Sequence, residues 1–151
     1  MVDEKKILVF TATYNEKENI EKLIFSINKH CPKANILIID DNSPDKTFEK
    51  ISELKKKIKN LNLIVRKEKL GLDSAHKEAY SYALKFNYDY LITMDADLSH
   101  DPKQINDFIN ALKNYPFVIG SRYVEGGKCL MKGTRLFFSC ILRKIIFINF
   151  I

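Results

Sequence analysis

The sequence lacks the cysteine pattern of a zinc site or a disulfide framework. Its three cysteines, Cys31, Cys129 and Cys140, are odd in number, lie far apart and include no Cys-x-x-Cys pair. Disulfide-stabilised domains and structural zinc sites carry evenly numbered or closely spaced sets of cysteines. We therefore expect neither class, and we expect a reducing, cytoplasmic location.

Long apolar runs are missing as well. A transmembrane helix requires about 20 consecutive apolar residues, and no uninterrupted run of that length occurs. The N-terminal residues 1–6 are mostly charged, and the apolar run behind them is too short for the core of a signal peptide. The sequence therefore predicts no complete transmembrane helix.

Two glycine-rich nucleotide-binding motifs are also absent. No Gly-x-Gly-x-x-Gly follows the first apolar run, and the chain has no Gly-x-x-x-x-Gly-Lys-Ser/Thr loop. The net charge is +6, with many lysines on predicted helices such as residues 55–59. Such a run is typical of a solvated helix face. We expect an anionic partner, such as a nucleotide or a lipid phosphate, and no nucleic acid.

What the chain does contain is a regular alternation of apolar runs and helical periodicity. The runs that predict buried strands are residues 7–10, 36–39, 61–65, 90–94 and 117–120. The stretches with helical spacing are residues 18–30, 46–59, 71–86 and 103–114. Strands that alternate with helices over short links favour a parallel sheet covered by helices on both faces. We predict a three-layer α/β/α fold with a mostly parallel sheet, in one domain over residues 1–151.

Three polar clusters follow predicted strands at their carboxyl ends. They are residues 13–16, 40–45 and 95–97. The carboxyl ends of parallel strands lie on one edge of the sheet, which is where open α/β sheets bind ligands. We therefore predict a single site formed by all three clusters.

Two of these clusters contain paired carboxylates. Asp95 and Asp97 offer hard oxygen ligands that suit Mg²⁺ or Mn²⁺, and the alternative is a solvated acidic loop. Asp40 and Asp41 suit a ribose hydroxyl or the edge of a base. The alternative for this second pair is a capped turn, because Asp, Asn, Ser and Pro favour turns for local reasons.

Four stretches give the chain a family resemblance: residues 13–19, 38–47, 94–102 and 120–127. In this order and spacing the chain resembles the family 2 inverting glycosyltransferases of the GT-A, Rossmann-like fold. Within that family it looks most like the dolichol-phosphate mannosyltransferase and polyprenol monophosphomannose synthase branch.

The resemblance implies a role for each matching residue. Asp97 and Arg122 would be the catalytic residues, and Asp95 and Asp97 would hold the divalent cation. The positions implied for the nucleotide-sugar donor are Ala12, Thr13, Tyr14, Glu16, Asp40, Asp41, Gly71 and Asp95. The positions implied for the acceptor phosphate are Arg122, Arg135 and Ser139, although the last two would also fit an ordinary amphipathic helix. His100 fits helix entry better than a catalytic base.

The implied reaction is transfer of a hexose, mannose by resemblance, to a polyprenyl phosphate. GDP-mannose is favoured as the donor over UDP-glucose, and Mg²⁺ or Mn²⁺ is the expected cofactor. We expect peripheral contact at the cytoplasmic face of a membrane. Two alternatives stay open: a family 2 transferase with a glycan acceptor, and a non-catalytic remnant that binds the nucleotide sugar.

Members of this branch usually continue past the point where this chain ends, so we expect it to lack the family's C-terminal part. Its last residues, 136–151, are apolar apart from Arg143, Lys144 and a few small polar residues. This stretch fits a helix in the membrane interface. It fits equally a core helix that lacks the segment that would cover it because the chain is truncated. Exposed apolar residues at that end would be an aggregation hazard in a complete soluble protein, which favours truncation.

Overall fold

Four parallel strands form one sheet in the computed structural model, which describes residues 5–121. The strands are β1 (Ile7–Thr13), β2 (Asn35–Asp40), β3 (Leu61–Val65) and β4 (Tyr90–Thr93). Their order across the sheet is β3-β2-β1-β4, so β1 and β2 are the central strands. The first four predicted strands are confirmed, and β1 continues past the predicted end at Phe10 as far as Thr13.

The four predicted helices are also confirmed, and each is a few residues shorter than its predicted range. They are α1 (Ile20–His30), α2 (Thr47–Lys55), α3 (Leu72–Lys85) and α4 (Ile105–Leu112), and a 3-10 turn over Pro102–Gln104 precedes α4. No helix within residues 5–121 is long and apolar enough to cross a membrane.

Helices cover both faces of the sheet, as predicted. On one face, α3 lays Ala75, Ala79 and Ala83 against the sheet. The strand residues beneath these alanines are Leu8, Phe10, Leu37 and Ile39. On the other face, α1 and α2 bury a larger aliphatic set against the alternate positions of the same strands. That set includes Val9, Ile20, Leu23, Ile24, Ile27, Ile36, Ile38, Ile51 and Leu54.

The alternation of side chains along β1 and β2 explains these two cores. Successive side chains of a strand point to opposite faces, so a continuous apolar run supplies both. On one face α3 presents the methyl groups of its alanines to the sheet, whereas on the other face α1 and α2 present mainly branched side chains. The prediction of a three-layer α/β/α arrangement is confirmed.

The predicted fifth strand is wrong for the described residues. Residues 117–120 form no strand, and the side chains of Phe117 and Ile119 are 75% and 73% exposed. An apolar run becomes a strand only where a neighbouring strand takes up its backbone hydrogen bonds, and no described strand pairs with this run. Contacts divide the chain into two units, Met1–Phe117 and Val118–Ile151. The single domain over residues 1–151 stays a prediction.

Candidate active site

The polar clusters predicted to share one edge of the sheet do lie on the same edge. In the parallel register Thr13 pairs with Asp40, and Phe10 pairs with Thr93. The loops after β1, β2 and β4 therefore leave the sheet side by side. If the register of β1 and β4 is continued by two residues, Asp95 comes level with Ala12.

Asp40 connects the loops rather than facing the solvent. Its carboxylate is fully buried and accepts hydrogen bonds from the hydroxyl of Thr13 at 2.8 Å, the amide of Ser43 at 2.8 Å and the hydroxyl of Ser43 at 2.7 Å. The structure thus gives Asp40 the geometry of a capped turn, which was the alternative to nucleotide contact. Asp40 is not among the residues that line the cleft described below, and its predicted contact with the donor stays a prediction.

The loop after β1 is fastened to the loop after β2 by further hydrogen bonds. The amide of Asn15 donates to the hydroxyl of Ser43 at 3.0 Å, and the amide of Glu16 donates to the hydroxyl of Thr47 at 3.0 Å. The carboxylate of Glu16 accepts from the side-chain amide of Asn19 at 3.0 Å. These bonds fix the predicted donor loop before any ligand arrives.

Asp41 points to the opposite face from Asp40 and pairs with Arg66. Both side chains are almost fully buried, with 7% and 6% of their surface exposed, and the guanidinium binds the Oδ1 atom of Asp41. The Oδ2 atom accepts from the amides of Leu70 and Gly71, both at 3.2 Å. Asp41 therefore holds the turn between β3 and α3 in place.

Arg66 is a site residue that the sequence did not single out. Besides Asp41, its guanidinium binds the hydroxyl of Ser74 and the carbonyl of Gly71, the latter at 3.0 Å. The available signal was its position directly after the apolar run 61–65, which puts it at the carboxyl end of a strand. Parallel pairing then brings it beside Asp41, because its amide donates to the carbonyl of Asp40 at 2.8 Å.

These groups form the wall of an open cleft of about 180 Å³. The lining residues are Ala12, Thr13, Tyr14, Asp41, Arg66, Lys69, Gly71 and Leu72. Five of them are positions at which the sequence predicted donor contacts. Gly71 has a φ of +83°, a left-handed conformation that suits glycine at this turn. The ammonium of Lys69 lies over the ring of Tyr14, 3.9 Å from its centroid.

Asp95 and Asp97 lie in the loop after β4. Hydrogen bonds from the hydroxyl of Ser99 and then from its amide hold the pKa of Asp97 below its usual value, although partial burial acts to raise it. The hydrogen bond from the amide of Ser99 to the carboxylate of Asp97 measures 2.9 Å. Leu98, which lies between Asp97 and Ser99, has a φ of +62°, so the chain turns back sharply at this point. The hydrogen bonds from Ser99 favour the charged form of Asp97, which is the form that binds a cation.

His100 contacts Asp95 rather than beginning the helix. Its Nδ1 accepts from the amide of Asp95 at 3.1 Å, and its Nε2 lies 3.6 Å from the carboxylate of Asp95. Asp101 takes the helix-entry position, where its side chain accepts from the amide of Lys103 at 3.0 Å. The expectation that His100 serves helix entry is wrong in this detail.

The chemistry of the loop fits Mg²⁺ or Mn²⁺. Within residues 5–121 no group of three or more His, Cys, Asp or Glu side chains could hold a metal ion. These cations, however, are often bound by one or two carboxylates together with substrate phosphates and water. Two carboxylates one residue apart, with the side chain of Asp95 56% exposed, meet that requirement.

Three predicted acceptor-phosphate residues, Arg122, Arg135 and Ser139, lie outside the described residues. The apolar stretch 136–151 does too. Their predicted roles stay predictions.

Comparison with known proteins identifies the family. The model of the family described as "Glycosyl transferase family 2" matches residues 8–147. The chain belongs to glycosyl transferase family 2. The GT-A, Rossmann-like fold expected from the resemblance is confirmed with it, because the fold of the described residues matches that of a solved mannosyltransferase.

Curated relatives of this family 2 chain are named for mannosyl transfer to lipid phosphates. It is 42% identical over 126 residues to the dolichol-phosphate mannosyltransferase of Pyrococcus furiosus and 35% identical over 125 residues to the polyprenol monophosphomannose synthase of Mycolicibacterium smegmatis. It is 33% identical over 123 residues to the undecaprenyl-phosphate mannosyltransferase of Micrococcus luteus. These matches cover 82% of this chain but 35%, 47% and 51% of the relatives, so the chain spans about a third to a half of their length.

A solved structure agrees with the fold. The mannosyltransferase PcManGT of Pyrobaculum calidifontis, solved in complex with GDP-Man and Mn²⁺, superposes with a TM-score of 0.56 at 23% identity. The match covers 63% of this chain and 28% of that one. At this identity the likeness supports the fold of the family 2 chain and nothing finer.

Proposed function

We propose that this chain carries the donor site of an inverting glycosyltransferase that moves a hexose, mannose, from a nucleotide sugar to a polyprenyl phosphate. One observation carries the proposal. A preformed cleft at the carboxyl edge of the sheet, with Asp41 and Gly71 in its wall, lies beside the loop that holds Asp95 and Asp97. The cleft suits the nucleotide, and the neighbouring carboxylates suit a cation on its diphosphate.

The donor would lie along the edge of the sheet from β3 towards β4. Tyr14 offers an aromatic ring and Gly71 offers backbone without a side chain, so a flat base and a ribose can approach closely. GDP-mannose is the favoured donor because the curated relatives are named for mannosyl transfer, and a solved mannosyltransferase was captured with GDP-Man. UDP-glucose is the alternative that the experiment below includes.

Asp95 and Asp97 would hold Mg²⁺ or Mn²⁺ on the donor diphosphate. When bound, the cation would offset the negative charge of the departing nucleoside diphosphate. The hydrogen bonds from Ser99 that lower the pKa of Asp97 favour its charged form. His100 beside Asp95 would limit the positions that this second carboxylate can take.

The acceptor in this proposal is a polyprenyl phosphate, the lipid class named for the curated relatives. A phosphate oxygen is already anionic, so attack on the anomeric carbon needs positioning more than a strong base. Arg122, Arg135 and Ser139 are the proposed partners of that phosphate. A lipid acceptor also implies peripheral contact with a membrane, which we propose at its cytoplasmic face.

Calorimetric titration tests the donor site directly. GDP-mannose and UDP-glucose are each titrated into the chain with and without Mn²⁺, and the measurement is repeated on Asp97→Asn. We expect one donor to bind, and we expect the increase in affinity caused by Mn²⁺ to vanish in Asp97→Asn. The matched control is Asp107→Asn, because Asp107 is an exposed acid in the first turn of α4, and it should bind like the wild type.

Turnover with a polyprenyl phosphate then separates the remaining candidates. Release of the nucleoside diphosphate together with a mannosylated lipid would support the full proposal. Donor binding without turnover on lipid or glycan acceptors would leave a nucleotide-sugar-binding chain that is not an enzyme. If the folded chain binds neither donor, the proposal is wrong.

A further inference from the structure

Lys69 occupies an unusual position across the cleft. Its backbone belongs to the turn after β3, but its ammonium lies 3.9 Å from the ring of Tyr14, which follows β1. Because β2 separates these two strands, the contact reaches across the carboxyl end of β2, and Lys69, Tyr14 and Asp41 all line the cleft.

Among the charged residues that line the cleft, Lys69 is the one without an oppositely charged partner in the described part of the chain. Asp41 and Arg66 form a buried ion pair and neutralise each other. The ammonium of Lys69 has no carboxylate within ion-pair distance among residues 5–121, and it contacts the neutral ring of Tyr14. An anionic ligand would therefore find one free positive charge in the described part of the cleft.

Hydrogen bonds hold the backbone of the turn on both sides of Lys69. The amides of Leu70 and Gly71, the next two residues, are both held by the carboxylate of Asp41 at 3.2 Å. On the other side of Lys69, the carbonyl of Lys67 accepts from the side-chain amide of Asn42 at 3.3 Å. The backbone is thus anchored on both sides of Lys69, and its flexible four-carbon chain carries the ammonium.

We infer that Lys69 is a phosphate-binding residue of the donor site, which exchanges its contact with Tyr14 for a phosphate of the bound nucleotide. A cation over an exposed aromatic ring is held weakly, whereas a charge-assisted hydrogen bond from an ammonium to a phosphate is among the stronger contacts in proteins. The exchange also uncovers the Tyr14 ring for the base. This inference rests on the proposed function and assigns one residue to the anionic part of the donor.

The test compares ligands that differ only in phosphate. Guanosine, GMP and GDP, and the matching uridine series, are titrated with Mn²⁺ into wild type, Lys69→Met, Lys69→Arg and Lys67→Met. In Lys69→Met we expect the diphosphate of the preferred base to bind about tenfold more weakly, while the nucleoside binds as in the wild type or more tightly. Lys69→Arg should restore most of the diphosphate affinity.

Lys67→Met is the matched control, because Lys67 is an exposed lysine of the same turn that does not line the cleft. It should leave every affinity unchanged. The advantage of the diphosphate over the nucleoside should also fall with added salt, more steeply in the wild type than in Lys69→Met.

Equal losses of nucleoside and diphosphate in Lys69→Met would mean that Lys69 contacts the base or shapes the cleft, and would overturn the inference. An unchanged diphosphate affinity would overturn it too, while the proposed function stands. A folded wild type that binds neither diphosphate would overturn the proposed function, and the inference with it.

Discussion

Asp40 and Asp41 are neighbours in the sequence, yet their carboxylates bind different partners on opposite faces of the sheet. Strand alternation turns Asp40 towards the face covered by α1 and α2, where Thr13 and Ser43 bind it. The same alternation turns Asp41 towards the face of α3, where it meets Arg66. One acid therefore fastens the loops, and the other builds the wall of the cleft.

At this scale the ion pair gives a stability prediction. Asp41→Asn leaves the guanidinium of Arg66 buried without its counter-charge, and removing one partner of a buried pair costs about 3 kcal/mol or more. We expect the free energy of unfolding, measured with urea, to fall by about that amount. Adding Arg66→Met to this variant should recover part of the loss, because the double variant no longer buries an unpaired charge.

Asp73→Asn is the control for Asp41→Asn. Asp73 forms an ion pair with Lys77 at 2.8 Å, but both side chains are mostly exposed, so its loss should leave the unfolding midpoint unchanged. Similar effects of the two single variants would contradict the assignment of a buried, structural pair at Asp41.

At the scale of elements, the loops at the carboxyl edge are joined to the helices that follow them. Asp45 accepts hydrogen bonds from both the amide and the hydroxyl of Thr47, at 3.0 and 2.6 Å, where α2 begins. Its other oxygen accepts from the amide of Lys17 at 3.1 Å. This one carboxylate thus holds the start of α2 against the loop that leads into α1.

These bonds imply a pH dependence of stability. Desolvation by burial acts to raise the pKa of Asp45, but the hydrogen bonds from Thr47 and Lys17, with the nearby charge of Lys17, together lower it overall. A lowered folded pKa means stability that is present above the ordinary carboxyl pKa of about 3.9 and is lost as the pH falls through the folded value. Wild type should therefore be more stable than Asp45→Asn at neutral pH.

The measurement is the difference in unfolding midpoint between wild type and Asp45→Asn from pH 7 down to pH 2. We expect this difference to be constant above about pH 5 and to shrink below about pH 4. A difference that stays the same over the whole range would show that the charge of Asp45 is not responsible.

At the scale of the whole molecule, the parallel sheet gathers distant segments into one site. Residues near positions 13, 41, 66 and 71 meet at the cleft, and the loop after β4 lies next to β1. We expect most of the stability of the described residues to come from the two apolar cores. The buried ion pair and the loop hydrogen bonds of the site mainly fix the shape of the cleft. Ligands that bind only the folded state should then stabilise the whole unit.

Thermal unfolding with ligands tests that coupling. At a concentration of 100 times its dissociation constant, a ligand of the folded state adds about 2.7 kcal/mol, which is roughly 5 to 10 °C in melting temperature for a chain of this size. We expect such a shift from GDP with Mn²⁺ together and a smaller one from either alone. Equal shifts from GDP with and without Mn²⁺ would contradict a cation shared between protein and diphosphate.

The sequence by itself determined the strands, the helices and the edge of the sheet at which the site lies. Continuous apolar runs such as residues 36–39 can only be buried on both faces, and helical spacing between them leaves a parallel sheet as the natural arrangement. The polar residues that follow each run then had to meet on one edge. The motifs at residues 13–19, 38–47, 94–102 and 120–127 pointed to the family that the comparisons confirmed.

The tertiary structure decided what depends on partners far away in the chain. The run at residues 117–120 is as apolar as a strand, but among the described residues it finds no strand to pair with. Arg66 gains its role only because β2 and β3 are neighbours, which puts its guanidinium on Asp41. The position of Lys69 over Tyr14 likewise depends on two loops 55 positions apart, 69 against 14, meeting across β2. Local sequence fixes local conformation, whereas such contacts follow from strand order and register, which no single segment encodes.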